Sequence, residues 1–475
     1  INKGWSSDKK YCVTDENGTR YLLRVSDIAQ HDTKQSEFNM MKQVASFGVP
    51  MCQPIEFGTC EDGVYSIQSW IDGEDAEQVM SGYSDTEQYV YGLEAGRILR
   101  KIHSIPAPAT QEDWEIRFNR IVWCAQKAPL FASGIVNGYF DDNVPMEFWR
   151  LLALYISSNT LSSVYWAIPF GQDEVNTMLN QAKEVLSWYD NMRNPVPTWY
   201  FKGYYLQYID GIPFKLKSAF DFSFMKEYGT VFKVYDDQDS GNICFGTEKD
   251  GQRYFVKFAG APTEQFGGDP ADAISRLKAT LPIYSDLKHE NLIELIEAKE
   301  IGDGFAMVFK WADSDCMGRM YPAAHRRFMQ LPVNDRLAVF SDILSFLECV
   351  ASRKYVAIDF YDGSIMYDFA NGKTTICDID LFHKQPCVND MGRMWGSSRF
   401  QSPEEYQLGA DIDEITNVYT LGATAFALFG EYNRTREKWQ LSDKLFEIAT
   451  RAVSDDRTKR QQSIRQFTAE WEAAQ

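Results

Sequence analysis

No two of the nine cysteines in this 475-residue sequence stand at Cys-x-x-Cys spacing, and their number is odd. That excludes a disulfide framework and a zinc site of the usual spacing, and predicts buried thiols in a reducing compartment. No apolar run reaches membrane length. The longest, residues 418–429, is about two-thirds of a span and is interrupted by Tyr419, Thr420 and Gly422. Residues 1–10 are polar and have no secretion-signal core, so a cytoplasmic protein without a membrane partner is expected. Positive charge is in deficit: 48 Lys and Arg stand against 67 Asp and Glu, a net charge of −19. A late basic stretch, 451–460, is broken by Asp455 and Asp456, so no nucleic-acid partner is expected. Low-complexity segments are absent as well, and the length suits roughly two to four domains.

What the sequence does contain is an internal repeat. Cys12-Val-Thr-Asp-Glu-Asn17-Gly18-Thr-Arg-Tyr21-Leu-Leu-Arg24 matches Cys244-Phe-Gly-Thr-Glu-Lys-Asp250-Gly251-Gln-Arg-Tyr254-Phe-Val-Lys257. Each copy reads as strand, Asn-Gly or Asp-Gly turn, and a second strand ending in a cation. Asp62-Gly63 then precedes Trp70 by eight positions, as Asp303-Gly304 precedes Trp311, and acids follow both tryptophans. A helical segment, 34–47 or 270–288, lies between the two hairpins of each copy. Helical patterns follow the first copy over 89–103 and about 120–190. Residues 200–226 read as a linker or a strand pair. A helix at about 334–353 and a strand–loop–strand over 355–380 follow the second copy.

The second copy gathers residues suited to phosphate chemistry. Lys257 ends an apolar strand, a placement that holds a cation rigidly against phosphates. In Val356-Ala-Ile-Asp359-Phe-Tyr-Asp-Gly-Ser364 an acid opens a polar loop, and nineteen residues later Asp378 ends the strand Thr375-Ile-Cys-Asp378. Two acids at the ends of one short hairpin can face one ligand. One would orient a hydroxyl and the other hold Mg²⁺ against phosphate oxygens.

Over about 226–470 the chain resembles the protein-kinase fold. Tyr254-Phe-Val-Lys257 is similar to the V-A-I-K strand and His289-Glu-Asn291 to the H-x-N after the αC helix. Ala357-Ile-Asp359 stands where H-R-D belongs and Asp378-Ile-Asp380 where D-F-G belongs. Ser402-Pro-Glu404 resembles A-P-E, Asn417-Val-Tyr-Thr-Leu-Gly422 the following helix signature, and Arg460 the late arginine that pairs with the A-P-E glutamate. The resemblance implies transfer of the ATP γ-phosphoryl group to a hydroxyl, with ATP and Mg²⁺ required and a protein Ser or Thr as acceptor. Lys257 and Asp359 would be catalytic. Gly241, Asn242, Gly246 and Lys257 would bind the nucleotide, and Asp378 with Ser364 would hold the metal. Ser402-Pro-Glu404 and Arg460 are expected to form a buried ion pair, and His289 to be a core hydrogen-bonder. Asp380 is open between a further metal contact and a solvated strand-end acid.

The departures bear on activity. The glycine loop keeps only Gly241 and Gly246, Ser364 replaces the second metal ligand, and Tyr361 replaces a lysine. Ile358 replaces the arginine that reads a phosphorylated activation loop. Thr280 stands at the αC glutamate, Pro282 disturbs that helix, and Asp272 or Asp286 would pair with Lys257 instead.

The first copy resembles the aminoglycoside phosphotransferase family. Gly4-Trp-Ser-Ser-Asp-Lys-Lys-Tyr11 is similar to its phosphate loop, Arg24 takes the lysine position with Glu37 as its candidate partner, and Leu99-Arg-Lys-Ile-His103 resembles the helix before the catalytic loop. That loop, H-G-D-x-H-x-x-N, is missing. The five histidines are 31, 103, 289, 325 and 383, and none precedes Gly-Asp. The chain runs from Trp114-Glu-Ile-Arg-Phe118-Asn119 straight into Arg120-Ile-Val-Trp123, which resembles a later helix of that family.

The expected fold class is therefore α+β: a truncated kinase-like, aminoglycoside phosphotransferase-like module followed by a protein-kinase-like bilobal fold. The expected boundaries are 1–105 for an N-lobe and hinge, 106–199 for a helical C-lobe remnant, 200–225 for a linker, and 226–475 for the kinase-like domain, with lobes meeting near 312. Two other functions stay open: a pseudokinase scaffold or nucleotide sensor, and a small-molecule kinase.

Overall fold

The computed structural model describes residues 8–61, 63–105, 127–190 and 193–475. Two compact units divide the chain after Tyr205. Residues 4–7 of the expected phosphate loop, Asp62, and the junction around Phe118 lie outside the described residues.

In unit 1, β1 (Lys9–Thr14), β2 (Arg20–Ser26), β3 (Pro54–Cys60) and β4 (Gly63–Ser69) form an antiparallel sheet of order β1-β2-β4-β3, with helix α1 (His31–Ser46) between the hairpins. Helices α2 (Asp85–His103), α3 (Pro129–Phe140), α4 (Met146–Trp166) and α5 (Gln172–Ser187) follow. Ser84 and Glu87 form a reciprocal capping box at the start of α2. Helices α2 and α3 meet backbone to backbone. A Cβ on Gly92 would lie 2.3 Å from the Phe131 carbonyl oxygen, and one on Gly138 would lie 2.1 Å from that of Leu93. Gly96 and Gly134 are equally confined, so two glycines four residues apart on each helix interlock. Asn137 fixes the crossing by donating to Tyr89 Oη (2.8 Å) and the Phe201 carbonyl (3.1 Å). Burial pushes the Tyr89 phenol up to about 12.

Unit 2 repeats the sheet. Its first strand pair is β5 (Tyr205–Ile209) with β6 (Ile212–Leu216), and β7 (Thr230–Tyr235) leads into the main sheet. There β8 (Asn242–Lys249), β9 (Gln252–Ala259), β10 (Leu295–Ile301) and β11 (Gly304–Lys310) take the order β8-β9-β11-β10 of the first copy, with β7 added outside β8. The Asp250-Gly251 turn has positive φ at both residues, 54° and 75°, as a two-residue hairpin needs. Side-chain detail recurs too. Trp70 donates to Asp72 Oδ1 at 3.0 Å and Trp311 to Asp313 Oδ1 at 3.0 Å. Arg20 and Arg253 pair with those same aspartates.

Of the two expectations for 200–225, the strand pair is the one seen. Phe214, Leu216 and Phe222 are buried against Val256, Phe258, Ile243, Phe245 and Val308, the apolar face of the main sheet. That face reads as every second residue of each strand, the period of a half-buried sheet. The helix expected over 270–288 is two helices, α6 (Pro270–Ala279) and α7 (Leu281–Asp286), separated at Thr280 just before Pro282.

Beyond the sheet, α8 (Pro322–Met329) and α9 (Val333–Ser352) precede β13 (Tyr355–Val356), and β14 (Ile365–Asp368) pairs with β15 (Lys373–Ile376) in a short hairpin. On its outer side, β14 also pairs with β12 (Asp315–Cys316). Helices α10 (Glu414–Phe429), α11 (Asp443–Ala452) and α12 (Ile464–Glu472) complete the unit. The longest apolar run is α10, buried on all sides from Thr416 to Phe429. Among the described residues no helix is long and apolar enough to cross a membrane. Arg460 and Glu404 form the expected buried pair, bidentate at 2.7 and 3.0 Å.

The α2–α3 contact predicts that Gly138→Ala destabilises unit 1 by at least about 2 kcal/mol, because the added methyl meets backbone that cannot turn aside. Differential scanning fluorimetry would show this as a lowered transition, with Gly73→Ala, whose Cβ position is open, unchanged.

Candidate functional site

The face of the main sheet opposite the buried one carries Lys257. The antiparallel register puts Cys244 and Met307 opposite it on the neighbouring strands, and Phe255 and Ala259 two residues away on the same face. Its ammonium group lies 2.6 Å from Asp380 Oδ2 and 3.2 Å from Asp378 Oδ1. Tyr284, on α7, donates to the other oxygen of Asp380 at 3.0 Å. Burial opposes the lysine's charge, but Asp380 and Asp378 outweigh it and hold its pKa well above the ordinary value.

Neither expected αC-side acid reaches Lys257. Asp286 instead pairs with Lys384 at 2.9 Å and accepts from Tyr355, and Asp272 sits on the first turn of α6 without contacting it. The reason is the break at Thr280. Its buried hydroxyl turns back to the Leu277 carbonyl, and the new helix presents Tyr284 to the Asp380 carboxylate. Asp380, left open between two roles, is the main partner of Lys257.

The two acids of the hairpin meet through strained backbone. Asp359 and Asp378 both have left-handed φ, 61° and 56°, a conformation aspartate tolerates better than most residues. Asn417 on α10 braces the approach to Asp359, accepting from the Ala357 amide at 2.8 Å and donating to the Tyr355 carbonyl at 3.1 Å. Burial, with like charge from Asp378 and Asp239, pushes the Asp359 carboxyl up to about 7. Asp378 is the exposed member: 52% of its side chain is open, and its Oδ2 accepts no hydrogen bond among the described residues. It is therefore free to ligate a cation through that oxygen. Magnesium takes few protein ligands and keeps water and phosphate oxygens, so one or two such carboxylates suit it. Ser364 is fully buried, its Oγ 3.5 Å from the Asp359 carbonyl, and its own carbonyl accepts from the Cys377 amide at 2.9 Å. In this arrangement it braces the Asp359 loop.

The expected glycine loop is furnished differently from a phosphate cradle. A Cβ on Gly241 would lie 2.7 Å from the Phe266 ring and 2.8 Å from Ala273, and one on Gly246 would lie 2.8 Å from Phe232 and 3.0 Å from Trp311. Both glycines thus make room for the protein's own side chains. Asn242 is buried and bonds Ser240 Oγ at 3.1 Å. The loop also carries Asp236, Asp237 and Asp239. Asp236 accepts from the Lys215 amide at 2.8 Å, while the buried Lys215 ammonium pairs with Asp237. Beside Lys257 runs a row of rings: Tyr235 to Phe255 at 5.7 Å, Phe255 to Phe309 at 6.4 Å, and Phe309 to Tyr284 at 5.1 Å.

His289 behaves as a structural hydrogen-bonder, with Nε2 3.1 Å from Ser345 Oγ and Nδ1 accepting from the Asn291 amide. Sequence reasoning missed Tyr284, Asp239 and Asn417 as participants. The helix signature at 417–422 was a signal for Asn417; nothing local marks Tyr284, because its role depends on where α7 is rotated.

In unit 1 the equivalent strand cation, Arg24, pairs with Asp8, which also accepts from Ser26 Oγ at 2.8 Å and lies 3.3 Å from Lys34. Burial raises the Asp8 pKa, but these partners outweigh it and hold it low. Glu37, expected as the partner of Arg24, pairs with Lys34 at 2.9 Å. The physical reason is geometric: Lys34 is one helical turn from Glu37 on α1.

Residues 1–145 match the family model of the phosphotransferase enzyme family (APH). That match supports an aminoglycoside phosphotransferase-like module at the start of the chain. No curated protein matches the chain.

The raised carboxyl predicts a pH effect with a definite sign. A protonated Asp359 survives in the folded state up to about pH 7, whereas in the unfolded chain it ionises near 4. The group therefore costs stability progressively from about pH 4 to 7 and adds no further loss above that. Relative to wild type, Asp359→Asn should gain on the order of 2 to 4 kcal/mol over that window. Urea titrations at pH 5 and pH 8 would check it, and an unchanged difference would reject the assignment. Asp378→Asn removes a like charge and should move the window to lower pH.

Proposed function

Taking the phosphotransferase match of the first module as premise, we propose that unit 2 is an ATP-dependent phosphotransferase of protein-kinase type, acting on a protein Ser or Thr hydroxyl. One observation carries the reading: Lys257 from the sheet, Asp378 from the hairpin and an Asp359 poised near neutrality converge on a single place. Lys257 would bind phosphate oxygens, exchanging an aspartate partner for them. Asp378 would hold Mg²⁺, which would supply compensation for the negative charge of the phosphates. Asp359 would accept the proton of the acceptor hydroxyl as its oxygen bonds to the γ-phosphorus and ADP leaves. A pKa near 7 suits that task at physiological pH. The remaining work is positioning, supplied by Asn417 and Ser364 through the backbone of the Asp359 loop.

Two observations favour other readings. The occupied spaces at Gly241 and Gly246 and the aromatic row beside Lys257 favour a pseudokinase that senses or scaffolds. The family match at 1–145 favours a small-molecule hydroxyl as acceptor.

The purified 475-residue chain with Mg²⁺ and γ-labelled ATP, offered a generic protein acceptor and separately an aminoglycoside, decides among the three. Label on protein, lost in Asp378→Asn and reduced about 10²- to 10⁴-fold in Asp359→Asn, is the expected result. Label on the small molecule moves the acceptor class. No label from folded wild type leaves the pseudokinase.

A further inference from the structure

A second charged cluster borders Asp359 and takes no part in holding Lys257. The guanidinium carbons of Arg319 and Arg399 lie 5.0 and 5.3 Å from the ring centre of Tyr432. Arg434 joins them by donating to the Arg399 carbonyl at 3.2 Å, and its other nitrogen donates to Tyr419 Oη at 2.8 Å. All three arginines are exposed. Among the described residues the one carboxylate within 4.0 Å of these guanidinium groups is Asp362, 3.6 Å from Arg399, while Arg319 and Arg434 bond or stack only on neutral groups. In a chain of net charge −19, this is positive charge left uncompensated in one place.

The cluster is organised. Tyr432 has left-handed φ, 64°, and donates to Asp362 Oδ2 at 2.5 Å. Burial and that carboxylate push its pKa well up, so the phenol keeps its proton. Its ring is a fixed platform for the guanidinium groups of Arg319 and Arg399, and the nitrogens of Arg319 draw no hydrogen bond among the described residues, which leaves their edge for a bidentate anion contact. It is also close to the hairpin acids. Phe400 lies between Tyr432 (6.2 Å) and Tyr361 (6.4 Å), two residues from Asp359, and a Cβ on Gly396 would lie 3.3 Å from Asp359 Oδ1. Met320 and Tyr321 directly follow Arg319, and Trp395 directly precedes Gly396, with 58%, 49% and 60% of their surface exposed. Apolar side chains beside stacked arginines suit a peptide with its own side chains; an extended polyanion would be repelled by the rest of the chain.

We propose that Arg319, Arg399 and Arg434 bind an acidic acceptor peptide, one carrying a carboxylate or phosphate beside the hydroxyl presented to Asp359. This rests on the phosphotransferase reading of unit 2 and names its substrate class. The test is fluorescence anisotropy with the 475-residue chain and three labelled peptides identical except for the residues flanking one serine: Glu, Gln or phosphoserine. The Glu and phosphoserine peptides should bind at least about tenfold more tightly than the Gln peptide, and the advantage should shrink as salt rises. It should disappear in Arg319→Gln, an exposed change, and in the Arg319→Gln/Arg434→Gln pair, each checked by melting temperature. Preference for the phosphoserine peptide alone assigns the contact to phosphate; preference for both assigns it to charge. Equal binding of all three, no binding of any, or selectivity surviving in both variants overturns the proposal. Because the readout needs no phosphoryl transfer, selective binding without transfer would reject the kinase reading and leave the anionic-peptide surface standing.

Discussion

The second unit depends on keeping one ammonium ion charged where little water reaches it. Lys257 has 12% of its side chain exposed, and an uncompensated charge in that position costs several kcal/mol. Asp380 and Asp378 supply the compensation, and both arrive from a hairpin more than a hundred residues downstream. Once the ion pair forms, the hairpin 365–376 is held against β9, and α7 is held by Tyr284 on the same carboxylate. The neutral-range carboxyl of Asp359 has a separate source, its own burial, reinforced by the charges of Asp378 and Asp239.

The two sheets meet the same constraint in different ways. Strand order, turn placement and the Trp–Asp–Arg contact at the end of the fourth strand are common to both. Yet Arg24 draws its acid, Asp8, from the residue just before β1, and Lys257 draws its acids from far along the chain. A repeat in sequence preserved the scaffold and left the partner of the strand cation free to differ. In the first unit the pair closes locally; in the second it gathers separate elements around one place.

Glycine shows how little residue type alone decides. Gly92, Gly96, Gly134 and Gly138 carry no phosphate motif, yet their spacing lets two helices touch backbone to backbone. Gly241 and Gly246 do stand at phosphate-loop positions, and their missing side chains leave room for Phe266, Ala273, Phe232 and Trp311. In both cases the absent Cβ matters because something lies against it. Sequence cannot say whether that neighbour is a helix, a ring or a ligand, since each excludes the same atom.

Much was nonetheless legible. Period-two apolar patterning determined the strands of both copies and the Asp250-Gly251 turn the first hairpin of the second, because side-chain alternation and positive φ are local requirements. The repeat determined that the two sheets share an order. Pro282 marked the helix break, since it has no amide hydrogen to continue the ladder, and the resemblance of Ser402-Pro-Glu404 and Arg460 to kinase motifs foretold their buried pair. Tertiary structure alone decided the rest: that Asp380 and not Asp272 or Asp286 holds Lys257, that Ser364 is buried, and that residues 206–228 cover a sheet face. The choice of Asp380 depends on where α7 places Tyr284 and on acids more than a hundred residues from Lys257, and neither is written in neighbouring residues.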